Sequence, residues 1–482
     1  MKTSPHAQEA PATVPLCVDL DGTLLRSDLL LESLLAMLGK APWLSLLVPV
    51  WLMRGRAQLK REIAHRVALD NANLPYDQRV LELLRTTDSR PRVLCTASDR
   101  LLADSVASEL GLFEEVMASD GDRNLAGSHK AEALVARFGS RGFDYAGNEL
   151  RDMKVWKHAR QAYVVNANSD LAAKAATVCE AVHELEAERP SALAWIRALR
   201  LHQWLKNLLV FVPLVVAHLL LVPSAVVHAG VAFLLFGICA SSVYLVNDLL
   251  DLTADRRHPR KRNRPFASGH LPILGGMIAA PLLTLLSLGG AWALSPEFAL
   301  TLLIYYVLTT AYSLRLKQIA MLDVVVLAAL YTIRIIAGAA AIGVAPSFWL
   351  LAFSMFFFLS LAILKRYTEL NSQRERGISQ AHGRGYLTTD YELLASLGGA
   401  SGYLSVLVLA LYINSTASEE LYRHPQFLWM LCPMLLYWIS RIWIIAHRGA
   451  MHDDPVIFAA TDRTSRVIFV LGAIVAVLAT IH

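Results

Sequence analysis

The sequence contains few cysteines, five in 482 residues, and no two of them are close enough to form a CxxC pair. They are Cys17, Cys95, Cys179, Cys239 and Cys432. Such wide spacing argues against a zinc site and against a disulfide framework. We therefore interpret each cysteine as a small apolar residue of a buried core.

Charged residues are also scarce, at 18% of the chain, whereas apolar residues make up 55%. This balance favours a membrane protein, and 482 residues are too many for one core. The first residues, MKTSPHAQEAPATVP, lack an apolar stretch behind the lysine, so no cleavable secretory signal is expected and the first domain should stay in the cytoplasm. No nucleic-acid partner is expected, and the sequence leaves the oligomeric state open.

Composition divides the chain in two. Up to about Pro190 the sequence is a normal soluble mixture, and beyond Lys206 it becomes a succession of long apolar runs. The polar stretch ELEAERPS marks the linker between them. We predict a disordered start (1–14), a soluble α/β domain (15–183), a linker (184–197) and an all-α membrane domain (198–482).

The soluble half carries acidic residues at a predicted strand end. Asp19 and Asp21 follow the apolar run of PLCVDLDGT, Thr96 ends a second short strand, Lys130 follows a Gly-Ser turn, and Asp152 lies near the next glycine loop. The pattern predicts phosphoryl transfer through an aspartyl-phosphate. Asp19 would attack and Asp21 would serve as general acid and base; Thr96 and Lys130 would hold phosphate oxygens, and Asp19 with Asp152 would coordinate Mg²⁺.

This order of motifs resembles the haloacid-dehalogenase superfamily of phosphatases over roughly Val14 to Glu180, which implies a Rossmann-like α/β fold. One departure is Asn148, which occupies a place that is often acidic in that family. A degenerate regulatory or scaffolding domain on the same fold is the alternative. The apolar stretch Leu29 to Met53 is predicted to form a helical cap that lies on the bilayer surface, or else an ordinary buried helix pair.

The second half contains nine apolar runs long enough to be considered membrane spans. They are Asn207 to Leu221, Ala225 to Val246, Ile273 to Leu294, Phe298 to Tyr312, Leu322 to Ile342, Phe348 to Leu364, Leu393 to Ile413, Phe427 to Ile445 and Val467 to Ile481. Basic loops alternate with loops that are nearly free of Lys and Arg, so the positive-inside rule predicts an inner-membrane protein whose first domain is cytoplasmic and whose C-terminus is extracytoplasmic.

The loop after the second run carries the strongest chemical signal. Asn247, Asp251 and Asp255 recur every four residues, which places them on one face of a helix. Stacked carboxylates are tolerable when a divalent cation neutralises them, and hard oxygen ligands select Mg²⁺. Three cations, Arg256, Lys261 and Arg264, are placed to receive the outer oxygens of a diphosphate.

A second acidic position opens a later run. Asp323 lies at or inside the membrane edge, where a carboxylate is costly and usually functional. We expect its partner to be Mg²⁺ or Lys317. The same run continues to Arg334, which is predicted to bind substrate together with Lys317 and with Lys206 from the first run.

These features resemble the UbiA superfamily of intramembrane prenyltransferases, whose first motif is NxxxDxxxD and whose fold has nine helices around a central cavity. The resemblance implies a diphosphate bound between two Asp motifs, and Asp323 departs from it by having no second acid nearby. Segments such as RLHQWLKNLLVFVP and KRYTE resemble the branch that contains decaprenyl-phosphate phosphoribosyltransferase. There the donor is phosphoribosyl pyrophosphate and the acceptor is a polyprenyl phosphate.

The charge inventory fits that branch, because phosphoribosyl pyrophosphate plus a lipid phosphate needs more cationic sites than one polyprenyl diphosphate. The predicted reaction transfers 5-phosphoribose, and the fused phosphatase would remove the 5-phosphate from the product. The alternative is a prenyltransferase that moves a polyprenyl group from its diphosphate to an aromatic or other acceptor. A third possibility, a transporter or lipid-binding scaffold, does not explain the acidic spacing.

Overall fold

The computed structural model describes residues 14–86, 90–120, 123–166, 168–185, 191–375, 385–451 and 454–480. The chain forms two compact units. The first comprises Met1–Leu199 and Tyr244–Ala280, and the second comprises Arg200–Val243 and Pro281–His482. The first unit thus includes residues 244–280, which we assigned to the membrane domain, and the division at residue 198 stays a prediction. Apart from its last residue, the predicted disordered start 1–14 lies outside the described residues.

The first unit is built on a six-stranded parallel sheet with the strand order β3-β2-β1-β4-β5-β6. The strands are β1 (Leu16–Val18), β2 (Arg92–Asp99), β3 (Glu115–Ser119), β4 (Asp144–Gly147), β5 (Gln161–Val165) and β6 (Ala181–Leu185). In β1, Leu16 and Val18 join one apolar cluster and Cys17 joins another. Successive side chains point to opposite faces, so both faces of the sheet are covered, as is typical of parallel sheets.

Helices connect the strands of this sheet. They are α1 (Leu29–Lys40), α2 (Val48–Met53), α3 (Arg56–Ala64), α4 (Gln78–Thr86), α5 (Arg100–Leu110), α6 (Ser128–Phe138), α7 (Met153–Trp156), α8 (Ser169–Ala176) and α9 (Ala192–Leu199). The α/β class predicted for this half is thus found. The predicted linker 184–197 is shorter in the structure, because β6 extends into its start and α9 begins before its end.

The predicted cap folds as α1, a 3₁₀ helix (Pro42–Leu47) and α2. Helix α1 buries Leu35 and Met37, but the segment after it leaves large apolar side chains exposed. Trp43 is 62% exposed and Met53 is 88% exposed within the chain. An ordinary buried helix pair is therefore not what forms, and contact with a bilayer surface stays a prediction.

The remaining helices are predominantly apolar. They are α10 (Val212–Val216), α11 (Pro223–Leu250), α12 (Leu252–Arg257), α13 (Ile273–Leu294), α14 (Pro296–Leu314), α15 (Leu322–Ala341), α16 (Phe348–Glu375), α17 (Tyr391–Ile413), α18 (Thr416–Leu421), α19 (Leu431–His447), α20 (Pro455–Thr461) and α21 (Arg463–Thr480). Eight of the described helices, α11, α13 to α17, α19 and α21, are long and apolar enough to cross a membrane. Length and composition thus support a multi-pass membrane protein.

The ninth predicted span, Asn207 to Leu221, does not form one long helix. A 3₁₀ helix (Leu201–Phe211) leads into the five-residue helix α10. Pro213 stands near the start of α10, and proline is tolerated only in the first turn of a helix. The nine-helix count is therefore not reproduced among the described residues. Helix α15 packs closely against the 3₁₀ segment at Gly338, where a Cβ would lie 2.0 Å from the Val210 carbonyl oxygen.

Candidate functional site

The carboxyl end of the parallel sheet gathers the acidic residues predicted for phosphoryl transfer. Asp19 follows β1, and Lys130 in the first turn of α6 donates to its Oδ1 at 2.8 Å. Lys130 also donates to the Tyr145 hydroxyl at 3.0 Å, and that hydroxyl donates to Asp152 Oδ1 at 3.1 Å. Burial lowers the pKa of Lys130, but the carboxylates of Asp19 and Asp152 outweigh it and hold that pKa above its ordinary value. The structure thus brings Asp19, Lys130 and Asp152 together through a tyrosine that sequence reasoning did not identify.

Asp21 occupies the same edge with different partners. Its Oδ1 accepts from the backbone N–H of Leu29 at 2.7 Å, and its Oδ2 accepts from the Ser98 hydroxyl at 2.7 Å. Burial raises the pKa of Asp21 to about 6, and Asp28 adds to the rise, while the Leu29 and Ser98 hydrogen bonds oppose it. A carboxyl group with a raised pKa suits a general acid.

The hydroxyl predicted to hold phosphate has a local partner. Thr96 is fully buried, and its Oγ1 accepts from the backbone N–H of Ser98 at 3.0 Å. Lys60 of α3 donates to the Ala97 carbonyl oxygen, and burial lowers its pKa. Lys60 is a cation that the motif spacing did not predict, because it comes from α3, the helix after the cap, rather than from a strand end.

Asn148 takes the place that is often acidic in the phosphatase family. Its Oδ1 accepts from the Thr23 hydroxyl at 3.1 Å, and its side chain packs so tightly on Gly22 that a Cβ there would lie 2.1 Å from Nδ2. Gly22 also has a φ of +75°, which glycine adopts without strain. Asn148 therefore packs against the turn after Asp21, and it offers a neutral amide oxygen where a carboxylate was expected.

Magnesium fits the donor chemistry of this edge. Among the described residues no group of three or more acidic, histidine or cysteine side chains is arranged to hold a metal by itself. Mg²⁺ is usually held by one or two carboxylates together with waters and substrate phosphates. Asp19 and Asp152 could supply those carboxylates, although Asp152 Oδ2 already accepts from two backbone N–H groups, those of Asn148 and Glu149.

The NxxxDxxxD segment crosses a break between two helices. Helix α11 ends at Leu250, and Asp251 caps the short helix α12. Backbone hydrogen bonds still join Asp251 N to the Asn247 oxygen at 2.9 Å and Asp255 N to the Asp251 oxygen at 2.8 Å. The three predicted residues therefore keep a spacing of one helical turn.

Arg264 binds two acidic residues of this segment. It donates to Asp255 Oδ2 at 2.5 Å and to Asp248 Oδ1 at 3.1 Å, and Lys261 Nζ lies 4.0 Å from Asp255 Oδ1. Both carboxylates are 2% exposed. Asp248 was not predicted, because it falls outside the four-residue spacing. The segment holds one asparagine and three aspartates within nine residues, which is the chemistry of a Mg²⁺ site shared with a diphosphate. In this structure Arg264 neutralises two of the aspartates, Asp248 and Asp255.

Arg256 does not match the expectation that it receives diphosphate oxygens. Its guanidinium is 6% exposed and donates to both carboxylate oxygens of Glu32, at 2.6 and 3.0 Å. Its Nε donates to the Ala267 carbonyl oxygen at 2.9 Å. The side chain is therefore committed within the first unit, and the sequence did not reveal its partner, which lies 224 residues away.

Asp323 belongs to the second unit and is fully buried at the start of α15. Arg366 Nε donates to one of its oxygens and the Tyr386 hydroxyl donates to the other. Arg366 also binds the Tyr312 hydroxyl at 2.8 Å. We expected Mg²⁺ or Lys317 as the partner, but Arg366 already supplies a counter-charge, so a metal is not needed to neutralise Asp323. Lys317 lies, partly buried, in a short 3₁₀ helix just before α15.

The predicted cation Lys206 and a second lysine, Lys365, meet at an acid that was not predicted. Lys206 and Lys365 both donate to Asp454 Oδ2, at 2.7 and 2.9 Å. Burial would raise the pKa of Asp454, but Lys365 and Lys206 hold it well below its ordinary value, so the carboxylate is ionised. Arg334 lies near Lys206, since both lie over the ring of Tyr331, at 5.5 and 5.8 Å from its centre.

A buried amide completes this group, which we call the cation cluster: Lys206, Asn207, Arg334, Lys365 and Asp454. Asn207 is 1% exposed, and its Oδ1 accepts from Arg334 Nε at 3.1 Å. Its Nδ2 has no hydrogen-bond partner among the described residues. Buried polar atoms without partners are rare in folded proteins. The described members therefore carry three positive charges, one negative charge and one unused hydrogen-bond donor.

Comparison with known proteins agrees with the architecture of the second half. The UbiA prenyltransferase family matches this chain over residues 210–460. An uncharacterized protein, y4nM, of Sinorhizobium fredii (strain NBRC 101917 / NGR234) is 37% identical over 96% of this chain and 90% of its own length. Nodulation protein NoeC of Azorhizobium caulinodans is 38% identical over 57% of this chain and 89% of its own length.

A relative with a named activity aligns over nearly its whole length. The decaprenyl-phosphate phosphoribosyltransferase of Mycolicibacterium smegmatis is 30% identical over 60% of this chain and 95% of its own length. About two fifths of the chain lies outside that alignment, whereas the Sinorhizobium protein aligns with almost all of it. With a family match that covers more than half of its residues, this chain belongs to the UbiA prenyltransferase family.

Proposed function

We propose that the membrane half transfers 5-phosphoribose from phosphoribosyl pyrophosphate to a polyprenyl phosphate, and that the N-terminal half is a phosphatase that removes the 5-phosphate of the product. The observation that carries the transfer proposal is the cation cluster. Its described side chains have a surplus of two positive charges, three cations against Asp454, in a mostly apolar helical unit. Arg334 has no carboxylate partner among the described residues and donates instead to Asn207, the Leu330 carbonyl oxygen and the Tyr305 hydroxyl. Buried charge that no opposite charge balances is costly, so this cluster is suited to an anionic ligand.

The unused donor of Asn207 points to the same kind of ligand. A buried N–H without an acceptor costs about 1–3 kcal/mol, and a phosphate or sugar oxygen would satisfy it. A prenyl diphosphate and a neutral aromatic acceptor present one anion, whereas a phosphoribosyl donor and a lipid phosphate present several. The cation cluster, with its surplus of two positive charges, favours the substrate pair with several anions. The phosphoribosyltransferase named among the relatives supports that choice.

The transfer forms one bond and breaks one. A phosphate oxygen of the lipid attacks the anomeric carbon of the ribose, and the bond from that carbon to the pyrophosphate oxygen breaks with its electron pair leaving on pyrophosphate. Mg²⁺ bound with the diphosphate would neutralise the charge of the leaving group. Asp251 and Asp255 would hold that ion, with Asn247 orienting it, and Lys261, Arg264 and Lys317 would stabilise the departing charge. The attacking phosphate is already anionic, so no general base is needed.

The N-terminal half would act on the lipid-linked product. Asp19 would attack the phosphorus of the 5-phosphate while Asp21 gives its proton to the departing ribose oxygen, and water would then hydrolyse the aspartyl-phosphate. Lys130 would hold phosphate oxygens beside Asp19, and Thr96 would line the same edge. Because the two halves share one chain, tethering raises the effective concentration of product at the second site.

The transfer proposal is tested with purified full-length protein in detergent, Mg²⁺, phosphoribosyl pyrophosphate labelled in the ribose, and a polyprenyl phosphate. We expect label in the lipid fraction and release of pyrophosphate. Asp251→Asn should abolish both, and Asp170→Asn, the same change at an exposed site in α8, serves as the control. Absence of labelled lipid, together with consumption of a polyprenyl diphosphate and an aromatic acceptor, would instead identify a prenyltransferase.

The phosphatase proposal needs its own experiment. With Asp19→Asn, we expect labelled lipid to form at the wild-type rate while the 5-phosphate stays on the ribose. Wild-type protein should release that phosphate as inorganic phosphate. If both proteins leave the 5-phosphate in place, or both remove it, the N-terminal half is not the phosphatase for this product.

A further inference from the structure

The acidic segment of the membrane enzyme is held by a residue of the phosphatase-like half. Glu32 lies in the first turn of α1, and Arg256 follows Asp255 directly in α12. Both side chains are almost fully buried, at 3% and 6% exposure, and they share two hydrogen bonds. Both belong to the first unit, so this contact lies inside one compact body.

The guanidinium joins three parts of the chain. Besides Glu32, Arg256 donates to the Ala267 carbonyl oxygen, which ties the end of the basic loop back to its beginning. Inside that loop Arg264 binds Asp255 and Asp248. The position of the Asp255 carboxylate therefore depends on a framework whose buried anchor is the Glu32–Arg256 pair.

The anchor is itself fixed to the sheet. Helix α1 begins at Leu29, whose N–H donates to Asp21, and Asp28 caps the helix by accepting from Leu31 N at 3.0 Å. The Ser27 hydroxyl also donates to Glu32 Oε1 at 2.5 Å. Glu32 is thus held at a capped helix end next to the first strand, which makes it a rigid support.

We propose that Glu32 is a positioning residue for the acidic segment, and that through Arg256 it sets the geometry in which Asp251 and Asp255 meet metal-bound diphosphate. This inference rests on the proposed function of that segment. It makes the N-terminal half a structural part of the transferase site in addition to its own chemistry. Partners that orient metal ligands from outside change metal affinity when they are removed, often without touching the metal.

The chain supplies a matched control one residue away. Arg257 donates to Asp70 at 2.6 Å and so also joins α12 to the N-terminal half, but its side chain is 65% exposed. Exposed ion pairs contribute little, whereas removal of one member of a buried pair leaves an uncompensated charge. Glu32→Gln and Asp70→Asn therefore make the same chemical change, one in a pair whose two side chains are buried and one in a pair whose arginine is exposed and whose aspartate is 14% exposed.

The first measurement is backbone hydrogen exchange of residues 251–264 in the full-length protein without substrates. We expect Glu32→Gln to speed exchange there by about tenfold or more, because the buried support is lost, while Asp70→Asn stays close to wild type. Exchange in the sheet strands should be unchanged in both, which shows that the fold is intact. Equal exchange in the two variants would overturn the proposal.

The second measurement separates positioning from general stability. In the transfer assay, Glu32→Gln should raise the Mg²⁺ concentration for half-maximal rate by about tenfold or more, with the KM for lipid unchanged and the rate recovered by excess Mg²⁺. Faster exchange with an unaltered Mg²⁺ requirement would mean that Glu32 is only structural, and the proposal would fail. If the wild-type protein transfers no phosphoribose, the proposed function fails instead, and the Mg²⁺ concentration needed to slow exchange of residues 251–264 in Glu32→Gln, compared with wild type, then decides the Glu32 proposal.

Discussion

Replacement of Asn207 by aspartate should stabilise the protein and inactivate it at the same time. The change is nearly isosteric. It removes the buried donor that lacks a partner, and it places a negative charge at the atom that accepts from Arg334 at 3.1 Å. The surplus charge of the cation cluster falls from two to one. The new carboxylate must be desolvated, but it gains an arginine partner and relieves an unsatisfied group, so we expect a net gain of about 1–3 kcal/mol.

The same change should damage transfer, because the ligand loses a donor and meets a like charge in its place. We expect kcat/KM for phosphoribosyl pyrophosphate to fall by about 100-fold or more, since hydrogen bonds to charged groups contribute about 1.5–3 kcal/mol and repulsion adds to the loss. Thermal unfolding in detergent micelles and the labelled-lipid assay measure the two effects on one preparation. Asn168→Asp, at the exposed N-cap of α8 where asparagine and aspartate are about equally favourable, should change neither. A lower unfolding temperature combined with unimpaired transfer would refute the interpretation of the cluster as an anion site.

Three further changes test other parts of the structure. Asp323→Asn and Arg366→Gln should each destabilise the protein by about 3–5 kcal/mol, because each leaves a buried charge without its counter-charge. The double variant should recover most of that stability, as measured by thermal unfolding, and should need no more Mg²⁺ than wild type, as measured by Mg²⁺ titration of the transfer rate. Phosphatase activity should be highest between about pH 6 and 7, because attack needs ionised Asp19, whose pKa burial raises to about 7, and proton donation needs protonated Asp21, whose pKa burial raises to about 6; Asp21→Asn should lower the rate by about 10²–10⁴-fold near that maximum. Gly338→Ala should destabilise the protein by about 1–3 kcal/mol or more because its Cβ would meet a backbone carbonyl at 2.0 Å, whereas Gly289→Ala has open space and should be tolerated.

The sequence could indicate which residues gather at the sheet edge, because motifs that follow parallel strands are brought to the same edge however far apart they lie in the chain. Asp19 and Asp21 follow a short apolar strand, and the carboxyl ends of parallel strands meet at one edge, so Lys130 and Asp152 arrive there too. The apolar runs likewise predict eight of the long helices, since length and composition suffice. The run at residues 207–221 fails because a proline and local packing favour a 3₁₀ segment.

Long-range pairing explains what the sequence could not reveal. Glu32 and Arg256 are 224 residues apart, and Lys206 and Asp454 are 248 apart. Spacing rules describe neighbours on one helix or strand and contain no information about which distant side chain will neutralise a buried charge. Asp454 was not among the residues predicted from the sequence. Its role depends on Lys206 and Lys365, which both donate to it.

The discontinuity of the first unit has a consequence for how such proteins diverge. Residues 244–280 fold with the N-terminal half although 44 residues of the second unit, Arg200–Val243, separate them in sequence. Consider a hybrid that joins this N-terminal half to the helices of a shorter relative. Its helix α1, which carries Glu32, would meet a loop from a protein that did not evolve with it. Such a hybrid is therefore expected to fold correctly only when the shorter relative carries an arginine at the position of Arg256.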